Sequence, residues 1–413
     1  MTIAILGYGK EGKSVENYFK KQNIDTKVFD NFTEDELKNF NLDSYEMVFR
    51  SPGVKPFNKN WSSSTKYFFD NCICPIIGVT GTKGKGTTCS MITAILEALG
   101  KKVYLVGNIG NPSLDILDKI RPEDVVVYEM SSFQLWDLYA SPKISVILRI
   151  EPDHLNVHKD FEDYVGAKSH IAEFQSNNDS CIYFKDNKDS KRIAEKSKGK
   201  KYTYPIEKPS NNLTAILDAL NVPGNHNREN AEAALLASAT FFNLSLEEFL
   251  EKNKDVLISA FSNFTGLPHR CQFLRELNGV KYYDDNFSTT VPSFEVALKA
   301  FPNENKILII GGRDKTHGEN YPKIIDLIKN TSNIQAIVLI GESGHEIFEK
   351  YKNENLKFIL AESLEEAVNT AKDEAEKINN SIVLMSPAAA SFDMFKNVYD
   401  RGEQYQNLIK NLK

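Results

Sequence analysis

The sequence is poor in cysteine, lacks any long apolar run and carries no excess of positive charge, and each shortage argues against a class of protein. Its five cysteines are an odd number, which predicts no disulfide framework. Cys72 and Cys74 form a C-x-C pair, but no second pair or histidine cluster completes a tetrahedral metal site, so buried thiols in a reducing cytoplasm are favoured. A run of about 18 apolar residues is absent, so no membrane span is expected. The formal net charge of −6 argues against nucleic acid as a partner.

Signals for export, repeats and low complexity are missing as well. The N-terminal stretch "MTIAILGYGK" enters a predicted strand directly and does not have the pattern of a signal peptide. The charge-rich stretch "KDNKDSKRIAEKSKGKK" (185–201) predicts a solvated surface segment. The chain has 413 residues, of which 41% are hydrophobic and 26% charged, so we expect a globular protein of about three domains at roughly 150 residues each.

Three blocks of alternating strands and helices fill the chain. Short apolar runs end in glycine turns, as in "TIAILGYG", "CPIIGVTG" and "KILIIGG", and helical spacing follows them. Continuous apolar runs separated by helices predict mainly parallel sheets that are covered on both faces. We therefore predict an α/β fold with a Rossmann-like domain at 1–73, a central P-loop-type domain at 74–264 and a second Rossmann-like domain at 265–413. Ligands of such folds bind beyond the carboxyl ends of the strands.

The stretch "GVTGTKGKGTT" (78–88) has the composition of a phosphate-binding loop. Its four glycines let the backbone turn sharply, and a helix predicted to begin near Thr87 adds partial positive charge. Lys83 and Lys85 add full charges. In the common P-loop a hydroxyl follows the lysine directly, whereas Gly86 stands here and a hydroxyl comes only at Thr87. The loop predicts a triphosphate, which normally arrives with Mg²⁺, and a glycine-rich turn with two exposed lysines is the alternative. Thr87 and Glu129, at the end of "VVVYEM", could supply oxygen ligands, and a solvated residue at the strand end is the alternative for Glu129.

Other polar residues also follow strands but leave alternatives open. His154 and His158 in "EPDHLNVH" lie four residues apart, which suits a zinc pair, but the H-E-x-x-H pattern is absent and a structural histidine is the alternative. Lys168, taken alone, indicates a surface lysine on a helix. "GYGKEG" (7–12) with Asp30 matches the dinucleotide fingerprint, which suits NAD and equally any nucleoside diphosphate at a helix N-terminus.

Nine motifs in chain order resemble the Mur ligase family, the ATP-dependent amide-bond-forming enzymes of cell-wall precursor synthesis. Together they cover nearly the whole chain: "GTKGKGTT" (81–88), "GNIG" (107–110), "EMSSFQL" (129–135), "DHLNVH" (153–158), "YVGAK" (164–168), "GNHNRENAEAA" (224–234), "GLPHR" (266–270), "GGRDK" (311–315) and "SPAAASFDMFKNVYDRG" (386–402). "SSFQL" and the last motif most resemble the member that adds D-glutamate to UDP-N-acetylmuramoyl-L-alanine. The resemblance implies that the three domains bind the UDP substrate, ATP and the amino acid, in that order.

The resemblance also implies roles for matching residues. Those implied for ATP are Gly81, Thr82, Lys83, Gly84, Lys85, Gly86, Thr87, Asn227, Asn230, Arg270 and Asp285. Those implied for magnesium are Thr87, Glu129, His154 and a carbamylated Lys168, and the catalytic set would be Lys85, His154, Lys168 and Arg270. Those implied for the UDP substrate are Gly7, Tyr8, Gly9, Lys10, Asp30, Ser51, Pro52, Gly53 and Asn108. Those implied for D-glutamate are Lys315, Ser386 and the backbone at Phe392. Carbamylation needs a neutral amine, so burial should lower the pKa of Lys168.

Three positions depart from the family pattern. Gly86 stands where a serine or threonine is usual, Phe287 where a lysine is usual, and Arg149 where an asparagine is common. They leave open a sibling ligase with another amino acid, a folylpolyglutamate-type ligase or an inactive nucleotide-binding regulator, with an NAD-dependent oxidoreductase as a further alternative. The motifs "GYGKEG" and "SPAAASFD" argue against a folylpolyglutamate-type ligase. We expect a cytoplasmic monomer.

Overall fold

The computed structural model describes residues 2–41, 44–314 and 316–413, which form two compact units. One unit comprises the chain up to Ala219 together with Arg228–Phe261, and the other comprises Leu220–Asn227 with Ser262–Lys413. The predicted α/β class with mainly parallel sheets is confirmed. The domain boundaries at 73/74 and 264/265 stay a prediction.

The first unit begins with a four-stranded parallel sheet in the order β2–β1–β3–β4. Apolar residues of its strands are buried, and the helices around it present their apolar faces to them. The glycine turn of residues 7–9 lies at the carboxyl end of the first strand, where a ligand site is expected. The elements are β1 (Thr2–Leu6), α1 (Lys10–Lys20), β2 (Asp25–Phe29), α2 (Glu34–Lys38), β3 (Met47–Arg50), β4 (Ser62–Ser63) and α3 (Ser64–Asn71).

The same unit contains a six-stranded parallel sheet in the order β10–β9–β8–β5–β7–β6. β5 lies at its centre and every residue of this strand is buried, so the loop that follows β5 is anchored at one end in the core. The elements are β5 (Ile76–Thr80), α4 (Lys85–Ala98), β6 (Val103–Gly107), β7 (Val125–Glu129), α5 (Ser132–Leu135), β8 (Ile144–Ile147), α6 (Phe161–Glu173), β9 (Ser180–Phe184), α7 (Lys188–Glu195), β10 (Lys200–Tyr204), α8 (Asn211–Asp218), α9 (Asn225–Phe241) and α10 (Leu246–Ser262).

The second unit has a six-stranded sheet in the order β11–β12–β16–β13–β14–β15. Only β11 pairs in the antiparallel direction, because it forms a hairpin with β12 through Asn278 and Gly279, both with positive φ. The elements are β11 (Gln272–Leu277), β12 (Val280–Asp284), α11 (Val291–Lys299), β13 (Asn305–Gly311), α12 (Tyr321–Asn330), β14 (Ile334–Ile340), α13 (Gly341–Tyr351), β15 (Phe358–Leu360), α14 (Leu364–Ala375), β16 (Ser381–Met385) and α15 (Val398–Asn411).

The charge-rich segment 185–201 is more ordered than its composition predicts. It holds α7, which the Asn187 side chain caps by accepting from the Ser190 N–H, and it ends in β10. Ile193 and Ala194 are fully buried against the core. The predicted solvated surface segment therefore holds a surface helix: one face of α7 buries Ser190, Ile193 and Ala194, at positions i, i+3 and i+4, while most charged side chains of the segment are exposed.

Two further expectations concern membranes and thiols. Among the described residues, no single helix has the length and hydrophobicity of a membrane span; α9 and α10, which meet at 105°, satisfy those criteria only as a pair. All five cysteines are free thiols, and three of them are buried: Cys74, Cys89 and Cys181.

Candidate active site

The glycine loop after β5 leads directly into α4. Gly84 has φ of 83° and precedes the first residue of α4, so the helix begins at Lys85 rather than near Thr87. Among the described residues no side chain caps this helix, whereas α3 and α6 are capped by Ser63 and Asp160. The N–H groups of its first turn therefore remain available to an anion.

A half-buried lysine and a fully buried lysine meet at one carbonyl oxygen of this loop. The Nζ of Lys85 lies 3.0 Å from the Gly81 carbonyl oxygen and 3.1 Å from that of Thr82. The Nζ of Lys168, on α6, lies 3.0 Å from the same Gly81 oxygen and 3.3 Å from Thr80 Oγ1. Burial lowers the pKa of both amines, and the charge of Lys85 lowers that of Lys168 further. Lys168 is therefore a buried amine and not the surface lysine that its position on a helix alone indicates.

Glu129 places a carboxylate beside these lysines. It ends β7, is almost fully buried and acts electrostatically on both amines. Its Oε1 accepts a hydrogen bond from Asn108 Nδ2 at 3.1 Å, and its Oε2 is buried without a partner in the described part of the chain. A buried carboxylate oxygen without a donor has the character of a ligand for a hard cation. Thr88 Oγ1, one helical position beyond Thr87, is likewise buried without a partner.

The two histidines of the 153–158 motif have different environments. His154 is exposed, has φ of 54° and contacts the ring of Phe133 at 5.0 Å. His158 is buried, with Nδ1 2.9 Å from Asp163 Oδ2 and Nε2 3.0 Å from Ser132 Oγ. Both ring nitrogens of His158 are thus engaged, so a zinc pair with His154 is not supported. Across the described residues no group of three histidine, cysteine or acidic side chains is arranged to hold a metal.

Several of the residues expected to bind the sugar nucleotide lie in turns near the N-terminus of α1, whereas Asn108 lies beside Glu129. Gly7 has φ of 87°, and a Cβ on Gly12 would lie 2.2 Å from the Gly7 oxygen, so helix and turn meet at a distance that only glycine permits. Ser51 Oγ donates to the Gly7 oxygen at 2.6 Å, which joins the "RSPG" turn to the glycine turn. α1 has no side-chain cap, and Asp30 is exposed directly after β2.

Asn230 is the adenine candidate that lies next to the loop. A Cβ on Gly84 would fall 2.6 Å from Asn230 Oδ1, so this side chain packs directly over the helix start. Asn227 belongs to the other compact unit, where its Nδ2 donates to the Pro223 oxygen at 2.6 Å.

In the second unit three expected residues come together. Arg270 is exposed between His269 and Cys271, which have positive φ values of 62° and 42°. Asp285 is buried, accepts from the Cys271 N–H at 3.1 Å and from Ser386 Oγ at 2.7 Å. Burial raises the pKa of this carboxyl group to about 6. Asp285 therefore fastens the loop that carries Arg270 to the end of β16.

The residues expected to bind D-glutamate differ in their exposure and hydrogen bonding. Lys315 lies outside the described residues, and Phe392 is exposed. The Ser386 hydroxyl is already donated to Asp285, whereas Ser391 Oγ is buried without a partner in the described chain. Ser391 is not among the residues expected from the sequence, although it belongs to the same "SPAAAS" motif. Both serines are buried, and only the hydrogen bond that Ser386 donates to Asp285 distinguishes them.

Two departures from the family pattern have structural settings. Phe287 lies with its ring 5.1 Å from that of His269 and 6.0 Å from the Arg270 guanidinium carbon. Arg149 stacks on Phe184 at 4.3 Å and approaches Glu229 at 3.5 Å. Phe287 therefore supplies an aromatic face beside Arg270 instead of a second charge.

Comparison with known proteins identifies the family that this sequence matches. A model of the Mur ligase middle domain matches residues 79–238, and a model of the Mur ligase glutamate ligase domain matches residues 269–389. A UDP-N-acetylmuramoylalanine–D-glutamate ligase of Ruminiclostridium cellulolyticum is 32% identical, over 100% of this chain and 97% of that protein.

Solved structures resemble the fold of this chain at lower identity. The UDP-N-acetylmuramate-alanine ligase of Thermotoga maritima superposes with a TM-score of 0.60 at 17% identity, with full coverage of both chains. A folylpolyglutamate synthase of the same organism has a TM-score of 0.60 at 15% identity, covering 85% of this chain and 93% of that one. Since both score alike, the fold alone does not choose among these substrates.

Proposed function

The chain belongs to the Mur ligase family, and we propose that it joins D-glutamate to UDP-N-acetylmuramoyl-L-alanine at the expense of ATP, through an acyl phosphate. The observation that carries the proposal is the convergence of Lys85 and Lys168 on the Gly81 carbonyl beside the buried Glu129 carboxylate. A carboxylate does not form an amide directly, because oxide is a poor leaving group. Phosphate transfer to the carboxylate removes that obstacle, and the glutamate amine then attacks.

Phosphate binding is the task of Lys85 and the start of α4. Lys85 now donates to two neutral carbonyl oxygens. A phosphate oxygen carries charge and is the stronger acceptor, so it would draw this amine toward the γ-phosphate. The uncapped N–H groups of α4 would hold the other phosphate oxygens. Phosphoryl transfer depends mainly on such positioning and charge neutralisation.

The residues present fit a magnesium ion. Glu129 Oε2 is buried without a donor, and Thr87, His154 and a modified Lys168 are the further candidates. Mg²⁺ keeps several waters and takes one or two carboxylates, so it does not need a dense acidic cluster. When bound, it supplies neutralisation of the charge on the transferring phosphoryl group.

Lys168 is the candidate for carbamylation. Its amine is fully buried and lies near the Lys85 amine, and both conditions favour the neutral form that reacts with carbon dioxide. The resulting carbamate would add a negative oxygen ligand close to Glu129. A carbamate signal in ¹³C NMR with labelled bicarbonate, absent from Lys168→Ala, supports this step, and the same spectrum for both proteins would contradict it.

The second unit would present the amino acid. Arg270 would approach the γ-phosphate, and Asp285 would meet the ribose. Ser391, with its buried and unpartnered hydroxyl, joins Lys315, Ser386 and the Phe392 backbone as a candidate for the glutamate carboxylates. We propose a cytoplasmic location for the reaction, because it consumes ATP.

The deciding experiment is phosphate release from ATP by the purified chain with a panel of amino acids. We expect release only when UDP-N-acetylmuramoyl-L-alanine and D-glutamate are both present. Release with another amino acid would change the substrate assignment, and release with a folate in place of the sugar nucleotide would favour the folylpolyglutamate reaction. Enhanced NADH fluorescence without any phosphate release would favour the oxidoreductase.

A further inference from the structure

Arg50, the last residue of β3, is a buried guanidinium whose five N–H groups all have acceptors. Its Nε donates to Asp137 Oδ2 at 2.8 Å, and its Nη2 donates to Asp137 Oδ1 and, at 3.0 Å, to the Phe133 oxygen. Its Nη1 donates to the Val54 oxygen at 3.1 Å and more weakly to the Ser51 oxygen at 3.5 Å. The side chain is inaccessible to solvent. An arginine in this state fixes every group that it touches.

The groups that Arg50 holds belong to two different parts of the candidate site. Ser51 and Val54 form the turn after β3, and Ser51 in turn donates to the Gly7 oxygen of the glycine turn. Phe133 and Asp137 lie in the segment that follows Glu129. One guanidinium thus joins the turns expected to bind the sugar nucleotide to the segment that continues from the candidate metal carboxylate.

We propose that Arg50 is a positioning residue for the sugar nucleotide: with Asp137 it sets the distance between the nucleotide-binding turns and the phosphate-transfer centre. The inference rests on the proposed function. The sugar nucleotide is held at its UDP end and reacts at its far carboxylate, so a small rotation of the turns moves the reacting atoms by a larger amount. A misplacement of about 1 Å is enough to lower a reaction rate on the order of 100-fold.

A purely stabilising role is the alternative, and it makes a different prediction. Replacing a buried ion pair by apolar residues of similar volume is often neutral or stabilising, whereas removing one partner leaves a buried charge. The double variant Arg50→Met/Asp137→Leu therefore leaves no unpaired buried charge, but it loses the bidentate geometry and the donors to the backbone oxygens of Ser51, Val54 and Phe133. If Arg50 only stabilises the fold, this variant should retain full activity.

The experiment compares four proteins: the unaltered chain, the double variant, Arg50→Lys and Arg192→Met. Arg192 is a matched control because it forms ion pairs with Glu162 and Asp189 on the surface of the same unit. For each protein we would measure the melting temperature, ADP affinity by calorimetry, and kcat/KM for UDP-N-acetylmuramoyl-L-alanine. We expect the double variant to stay folded with a lowered melting temperature, because backbone oxygens lose their donors. It should bind ADP within about twofold of the unaltered chain, with kcat/KM lower by about 100-fold.

Each outcome decides the matter. Full kcat/KM in a folded double variant, or an equal loss of ADP affinity, would overturn the positioning role and leave the proposed function intact. Should the double variant fail to fold, Arg50→Lys decides, because lysine keeps the charge but not the planar fork; full kcat/KM in that variant overturns the role, and a loss of about 10-fold or more supports it. Absence of ligation by the unaltered chain overturns the proposed function and this inference together.

Discussion

Two lysines share one carbonyl oxygen in the candidate site, and their different burial separates their roles. Lys168 has only protein around it, and its amine is hemmed in by Thr80, Gly81 and the ring of Tyr164 at 4.7 Å. Lys85 is the first residue of α4, at the helix N-terminus where an anion would bind. A lysine that must carry charge and one that must lose it can therefore occupy neighbouring positions, because the second is more strongly desolvated.

Replacement of Lys85 by alanine is expected to abolish turnover, with kcat lower by at least about 100-fold, because the γ-phosphate loses its nearest cation. The measurement is ATP-dependent ligation at saturating substrates. Lys191→Met, on an exposed position of α7, is the control for the loss of one positive charge. Near-normal turnover in Lys85→Ala would remove the loop lysine from the mechanism.

Asp285 gives the second unit a pH-dependent stability. Burial raises the pKa of Asp285 to about 6, whereas in the unfolded state its pKa is near 4. Between these two pH values the folded state therefore holds a proton that the unfolded state has already released. The stabilisation is complete below the unfolded pKa and is lost as pH rises through about 6. Relative to Asp285→Asn, the unaltered chain should lose about 2 kcal/mol of unfolding free energy between pH 4 and 7. Denaturant unfolding at several pH values tests this, and parallel profiles for the two proteins would contradict it.

At the scale of elements, two structural constraints at the start of α4 act on Gly84. Gly84 must adopt a positive φ, and it must leave room for Asn230 Oδ1, which would lie 2.6 Å from any Cβ there. Gly100, beyond the end of the same helix, also has a positive φ of 79° but faces open space. Comparing substitutions at Gly84 and Gly100 therefore distinguishes the effect of backbone strain, which both share, from the effect of side-chain displacement, which only Gly84 has.

Alanine at either glycine should cost roughly 1–2 kcal/mol of stability through the left-handed backbone. Only Gly84→Ala should also displace Asn230 and raise the KM for ATP, by about 10-fold or more, because one nucleotide contact is worth on the order of 1.5 kcal/mol. Melting temperatures and ATP kinetics of both variants provide the test. An equal change in KM for the two variants would show that Asn230 has no part in nucleotide binding.

At the scale of the whole molecule, the chain is expected to be a monomer. Only eight large apolar side chains are strongly exposed among the described residues. Obligate dimers bury large and markedly apolar interfaces, for which so few exposed groups are a poor basis. Sedimentation equilibrium at micromolar concentration should give one species of 46.7 kDa. A stable species of twice that mass would contradict the expectation.

The sequence by itself determined the elements that depend on local pattern. Apolar runs such as "CPIIGVTG" and "SIVLMSP" became buried parallel strands, because side chains covered on both faces must all be apolar. The glycine loop was equally readable, since its backbone conformations need glycine at fixed positions. The Asn278–Gly279 pair is also a local turn signal, and it forms the hairpin between β11 and β12.

Only the tertiary structure decided which polar side chains meet. Lys168 and Lys85 are 83 positions apart in the sequence, yet both donate to the Gly81 oxygen. Arg50 and Asp137 are 87 positions apart, yet they form a hydrogen-bonded ion pair. Ser386 and Ser391 are chemically identical, and the structure alone engages one hydroxyl and leaves the other buried without a partner. The physical reason is that desolvation and hydrogen bonding depend on what the fold brings within about 3 Å, and no periodicity along the chain encodes that distance.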